Sequence, residues 1–256
     1  MTGRLMSVNV VHDLIPDQRG DLDRTAIDKR PVAGRVPVNR LGVDGDTQYD
    51  RKNHGGPDKA VYAYAREDID WWSAELAREL TNGQFGENLT TSGLDINGSL
   101  IGERWRIGTA GLEVEVTMPR IPCATFQGWL DEPHWVKRFF AHGAPGAYLR
   151  VTAEGTAGGE DDIEVVHRPD HGIRLTELFV LRDTDPARLR RLLEEPGLAE
   201  DLVHAVRRRR LSFGRAGRHQ STRRRNIAAT VTPWAGRCTT STASPLPAVP
   251  SPVTRR

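Results

Sequence analysis

Cysteine is nearly absent from this 256-residue chain, in which Cys123 and Cys238 are the whole supply. Two distant thiols build no disulfide framework, and no charged-then-apolar leader opens the chain, so a cytoplasmic location is expected. No run approaches the roughly 20 apolar residues that a membrane-spanning helix needs, and no membrane is expected as a partner. Also missing are a Gly-x-Gly-x-x-Gly fingerprint, a phosphate loop and a Gly-x-Ser-x-Gly elbow, which argues against nicotinamide, flavin, nucleoside-triphosphate and serine-hydrolase chemistry. Charge of one sign is lacking as well: 36 Lys and Arg face 34 Asp and Glu, for a formal charge of +2. The small positive excess crowds toward the C-terminus, and no nucleic-acid partner is inferred from it.

The hydrophobic fraction of 38% is enough for a real core, in one large domain or a medium domain with a smaller companion. As far as Pro169, short apolar or alternating runs are punctuated by glycine, which predicts a mostly β domain. In Leu112 to Met118, residues Leu112, Val114, Val116 and Met118 share one face and Glu113, Glu115 and Thr117 the other, so a half-buried strand leads into Pro119 and Arg120, with a loop to follow. Further strands are predicted over Ala60 to Tyr64, Ala147 to Thr152 and Ile163 to His167. Helices are predicted over Glu67 to Leu80, with Trp72 in the core, and over Pro133 to His142, ended by Gly143. After Leu175 the pattern turns helical: Asp185 and Pro186 cap a helix over Ala187 to Glu195, and another covers Leu198 to Arg208. The expected domains are therefore 1–170 (β), 171–210 (small, helical) and 211–256, a tail.

That tail holds no Lys, Asp or Glu, and its Arg, Ser, Thr and Pro predict no ordered structure. It reads either as a basic segment that docks on something acidic or as an extension translated in an altered frame from a GC-rich gene; we favour the second, which leaves Cys238 a bystander.

Four segments could carry chemistry. In Pro119-Arg120-Ile121-Pro122-Cys123 two prolines stiffen the chain and an arginine favours the thiolate, the form that ligates a soft metal or attacks an electrophile; a small buried residue is the plainer alternative. His54-Gly55-Gly56-Pro57-Asp58-Lys59 offers glycine room and two cationic groups to an anion, or is a turn with a solvated lysine. Phe85-Gly86-Glu87-Asn88-Leu89 sets an acid and an amide behind a glycine, able to read a heterocycle's edge or to cap a turn. Thr25, Lys29 and Arg30 gather before Pro31-Val32, as an ordinary solvated edge also would. Asp44, Asp46 and Asp50 are spaced like a calcium loop, but Tyr49 stands where that loop requires glycine. Zinc is disfavoured, since His134, His142, His167 and His171 offer no paired spacing beyond His167 and His171, which Pro169 splits.

The order of these segments resembles the MOSC domain, named for the C-terminal domain of molybdenum-cofactor sulfurase, and in particular its YiiM-like branch. The series is Thr25-x3-Lys29-x-Pro31-Val32, Gly45-Asp46-x-Gln48-x-Asp50, His54-Gly55-Gly56-Pro57-Asp58-Lys59-Ala60-Val61, Phe85-Gly86-Glu87-Asn88-Leu89 and Pro119-Arg120-x-Pro122-Cys123. It covers roughly Ser7 to Pro169, and the stretch after Leu175 resembles the three-helix domain that follows in that branch. The resemblance implies a mostly β, MOSC-type β-barrel with peripheral helices and a molybdenum cofactor (molybdopterin) beside the metal ligand Cys123. Lys29, His54, Gly55, Gly56, Lys59, Asn88 and Arg120 would surround it, with Glu87 or Asp46 assisting proton delivery. Pyridoxal phosphate is a further cofactor left open. The implied activity is reduction of small N-hydroxylated substrates, such as 6-hydroxylaminopurine, with electrons from a separate redox protein. The alternatives are a sulfur carrier using a Cys123 persulfide and a cofactor-binding module without turnover. The oligomeric state is left open.

Overall fold

Burial alternates along the first strand, β1 (Thr2–Val11), where Leu5 is wholly buried between exposed Arg4 and Met6, so period-two patterning starts the core at once. The computed structural model describes residues 2–180 and 184–208. The predicted tail, Cys238 and the last residues predicted for the helical domain lie outside the described residues.

After β1 come β2 (Ile15–Pro16), β3 (Arg24–Thr25), β4 (Lys29–Pro31), β5 (Arg35–Asn39), β6 (Gly42–Val43), α1 (Arg51–His54), a 3₁₀ turn (Pro57–Lys59), β7 (Val61–Ala65) and α2 (Arg66–Glu75). Then follow β8 (Leu89–Ser92), β9 (Arg104–Ile107), β10 (Leu112–Pro119), α3 (Ala124–Leu130), α4 (Trp135–His142), β11 (Ala147–Ala153), β12 (Gly155–Gly158), β13 (Asp162–His167), α5 (Leu175–Phe179), α6 (Pro186–Leu192) and α7 (Glu200–Arg207). Strands β13, β9, β10, β11, β7, β8 and β1 hydrogen-bond in that order, and β1 returns to β13 through Thr2–Glu164, Gly3–Ile163 and Arg4–Asp162. Seven strands thus close a barrel, which removes its edges. Within this ring only β7 and β8 run parallel, and α2 supplies the crossover that parallel neighbours need. Among the described residues no helix is long and apolar enough to cross a membrane.

The predicted strands lie where β7, β10, β11 and β13 are found, and Asp185 caps α6 by accepting from the Ala187 N–H, with Pro186 at its first position. Two expectations fail. The helix predicted to run to Leu80 ends at Glu75: Ala77 takes a left-handed φ of 49°, and the Ser73 hydroxyl accepts from the Leu80 N–H, turning the chain back. The segment after Cys123, expected as a loop, is α3. Its Phe126 and Leu130 are buried, and Phe126 packs edge-on against Phe85, Trp135 and Phe139, with centroids 5.4, 5.2 and 5.5 Å apart. That aromatic cluster, which also holds Trp72, fixes α3 and with it the position of Cys123.

Candidate active site

The His-Gly-Gly segment is moored to the barrel at several points. Asp50 caps α1 by accepting from the Asn53 N–H at 3.1 Å, and His54 closes that short helix. Gln48 accepts from the Gly56 N–H at 3.2 Å and donates to the Lys59 and Ala60 carbonyls at 3.0 and 3.2 Å. The Thr117 hydroxyl of β10 donates to the Asp58 carbonyl at 2.6 Å. A Cβ at Gly55 would stand 2.8 Å from the Arg51 Cα, so a side chain there would unseat α1. Gly56 has φ +93° and nothing within 4 Å of where a Cβ would sit; because Gln48 already holds its N–H, it contributes room rather than a donor.

On this mooring His54 meets two residues from distant strands. Its Nδ1 lies 2.9 Å from the Tyr148 hydroxyl on β11, and its imidazole lies near enough to the Cys123 thiol, at the start of α3, to act on its charge. Burial pushes the Cys123 pKa up, but the His54 imidazole, the Arg120 charge and the Phe126 N–H outweigh it and bring the thiol down to about 7. Burial works against protonation of His54 too, yet Tyr148 and Cys123 raise it to about 9. Near neutral pH the pair therefore tends to imidazolium and thiolate. Burial likewise pushes the Tyr148 hydroxyl up, while His54 and Arg120 leave it below the usual phenol value.

Arg120 leaves the end of β10 and is 5% exposed, its guanidinium 4.2 Å from the Phe126 ring centroid and 5.1 Å from that of Tyr62. Its Nη1 is buried and has no hydrogen-bond partner. A buried cationic donor without an acceptor is costly, so it marks a place for an anion.

A family profile matches residues 50–165, and that family is the MOSC domain. The protein YflK of Bacillus subtilis is 34% identical over 199 residues, 77% of this chain and 89% of that protein. YiiM of Escherichia coli is 30% identical over 194 residues, 73% of this chain and 85% of that protein. The chain belongs to the MOSC-domain family, in its YiiM-like branch. A protein named reductase from Gibberella moniliformis is 32% identical over 148 residues, which are 57% of this chain and 26% of that longer protein. The crystal structure of YiiM from Geobacillus stearothermophilus shares the fold, with a TM-score of 0.65 and 26% identity over 82% of this chain and 100% of that one.

In this MOSC domain the residues singled out from sequence fall into two groups. Cys123, His54 and Arg120 act on one another directly, while Gly55, Gly56 and Lys59 follow His54 in the same moored segment. Lys29, Asp46, Asn88 and Glu87 form a neighbouring buried network. Lys29 pairs with Asp46, which also accepts from the Asn88 amide at 2.8 Å and from the Val11 N–H at 2.9 Å. Burial pulls Lys29 below the ordinary lysine range despite that partner. The Asn88 amide is spent on protein groups, donating to the Asn9 carbonyl and accepting from the Tyr62 N–H, both at 3.2 Å. Glu87, wholly buried, accepts from the Gly83 and Phe85 N–H groups at 2.5 and 2.9 Å and from the Thr90 hydroxyl at 2.8 Å. Arg30 turns outward to Asp28. Sequence reading passed over Tyr148, which is one more residue in an alternating strand until barrel closure sets it opposite His54.

Proposed function

We propose that this MOSC-domain chain is a molybdenum-cofactor-dependent reductase of N-hydroxylated compounds, N-hydroxylated bases among them, served by a separate electron-donor protein. The observation that carries it is the meeting of a thiol lowered to about 7 with a buried guanidinium whose Nη1 lacks an acceptor. Similarity to a protein named reductase supports the oxidoreductase class.

The residues present fit a group that joins a soft metal to an anion. Cys123 would hold the metal as thiolate. Arg120 and Lys59 would hold a phosphate, with Gly56 leaving space for close approach. When bound, the cofactor supplies the redox chemistry by which R–NHOH, two electrons and two protons become R–NH₂ and water. His54 and Tyr148 share a proton at Nδ1 and the phenol oxygen, and this pair is placed to deliver it. Asp46 and Glu87, the acids considered from sequence, serve better as supports: one neutralises Lys29 and the other braces the 83–87 turn.

The test is metal and pterin analysis of the chain made in a cofactor-competent host, followed by an assay with an N-hydroxylated base and a supplied donor. Molybdenum near stoichiometry and turnover are expected, both lost in Cys123→Ala with the fold intact by circular dichroism. A wild-type chain without molybdenum, or a Cys123→Ala chain with full metal and activity, would refute the assignment. Sulfur-34 labelling of Cys123 without metal would point to the persulfide carrier instead.

A further inference from the structure

The two buried lysines beside the candidate site are neutralised in different ways. Lys29 is 9% exposed and its partner Asp46 6%, and Asp46 is also held by Asn88 and Val11. Both charges are desolvated, so exchanging that carboxylate for another anion would strand a buried, hydrogen-bonded ion. Lys59 is equally buried, but its carboxylate, Asp201, is 66% exposed and 2.5 Å away. The other Lys59 acceptor is the Asn53 carbonyl at 3.0 Å. The adjacent Asp58 is taken by Arg150, at 2.8 and 2.6 Å, and Arg150 also reaches Glu115 at 3.2 Å. Asp201 is therefore a water-facing counter-ion on a desolvated cation, and it can leave at small cost.

Its origin is a separate element. Asp201 sits in the first turn of α7, which follows the α6–α7 connection, and that connection lies along the barrel, where a cavity of about 190 Å³ is lined by Arg104, Glu115, His167, Glu195 and Leu198. Gly197, with φ +74°, turns over the Arg150 guanidinium, 3.7 Å from where its Cβ would be, and this turn delivers α7 to Lys59. Leu202, Ala205 and Val206 are buried, Leu202 within the first turn itself, so apolar packing seats α7 on the barrel and the ion pair adds one polar tie from that turn to the His-Gly-Gly segment.

We infer that Asp201 is a displaceable latch: it neutralises Lys59 and ties the first turn of α7 to the His-Gly-Gly segment until an anionic ligand takes the lysine and loosens that turn. This rests on Lys59 belonging to the anion site proposed above. Removing the competing carboxylate should tighten anion binding, by about three- to fivefold for an ion pair with one exposed member. By the same coupling, anion binding should loosen α7.

The experiment titrates the full chain, its Asp201→Asn, Asp201→Glu and Arg120→Met variants with inorganic phosphate at low ionic strength. Hydrogen exchange at the Val203 and His204 amides is followed alongside. Asp201→Asn should bind phosphate about three- to fivefold more tightly than wild type and Asp201→Glu should not. Saturating phosphate should speed exchange at those two amides in the wild type, a result that stands even if the asparagine variant fails to fold. Equal affinity of Asp201→Asn and wild type, with binding still lost in Arg120→Met, overturns the latch and leaves the anion site standing. Unchanged exchange in the phosphate-bound wild type also overturns it. Absence of binding in all four proteins removes the anion site and the latch together.

Discussion

His54 and Tyr148 face each other across 2.9 Å, one from a four-residue helix in the glycine-rich segment and one from a barrel strand 94 residues on. The contact ties the protonation of the imidazole to a phenol, and the imidazole in turn lowers the Cys123 thiol.

Alkylation of Cys123 by iodoacetamide should therefore follow a thiolate titration with a midpoint at about pH 7. Because the pKa is depressed, the reactive form is present above that pH and is lost as pH falls through it. His54→Asn should move the midpoint toward the ordinary thiol value, since the leading cause that lowers it is gone. A wild-type midpoint already at the ordinary value would disprove the pairing.

Arg120→Met and Lys29→Met should differ in their effects on stability. The first removes a buried charge whose Nη1 is unpartnered, so the thermal midpoint should hold or rise while retention of an anionic ligand falls. The second strands buried Asp46 and should cost about 3 kcal/mol, roughly 6–12 °C in a domain of this size. Calorimetry of both variants checks the pair, and equal losses would show that the two cations play the same part.

Glu87→Gln probes a bracing carboxylate. Its amide nitrogen must face the Gly83 or the Phe85 N–H, leaving a buried donor without an acceptor, at about 1–3 kcal/mol. Burial raises the Glu87 pKa even against its hydrogen bonds. The native state thus binds the extra proton between the ordinary carboxylate value and the raised one, and this residue's contribution to stability falls as pH rises through that window. The variant should lose that slope. Denaturant midpoints measured across mildly acidic pH decide it, and an unchanged slope would show that Glu87 titrates normally.

Much of the β architecture was legible because each strand alternates on its own. Leu112 to Met118 declares its inner and outer faces without any neighbour, and Asp185-Pro186 declares a helix start by local hydrogen bonding and a fixed φ. Helix α3 was not legible. Cys123 offers no side-chain cap, Gly128 and Thr125 are poor helix formers, and seven residues are too few to hold a helix without the aromatic cluster beneath it. The early end of α2 was hidden for a similar reason, since a serine hydroxyl bonding seven residues ahead overrides the apolar spacing.

For the site, the order of short motifs determined which residues to examine, and the chemistry of each type, a thiol, an imidazole, two lysines and an arginine, was set by composition alone. What they do to one another came only from closing the barrel. Charge interactions depend on distance and desolvation rather than on spacing along the chain. Lys29 and Lys59 read alike in one dimension, and they diverge because folding gives one a buried aspartate 17 residues away and the other an exposed aspartate 142 residues away.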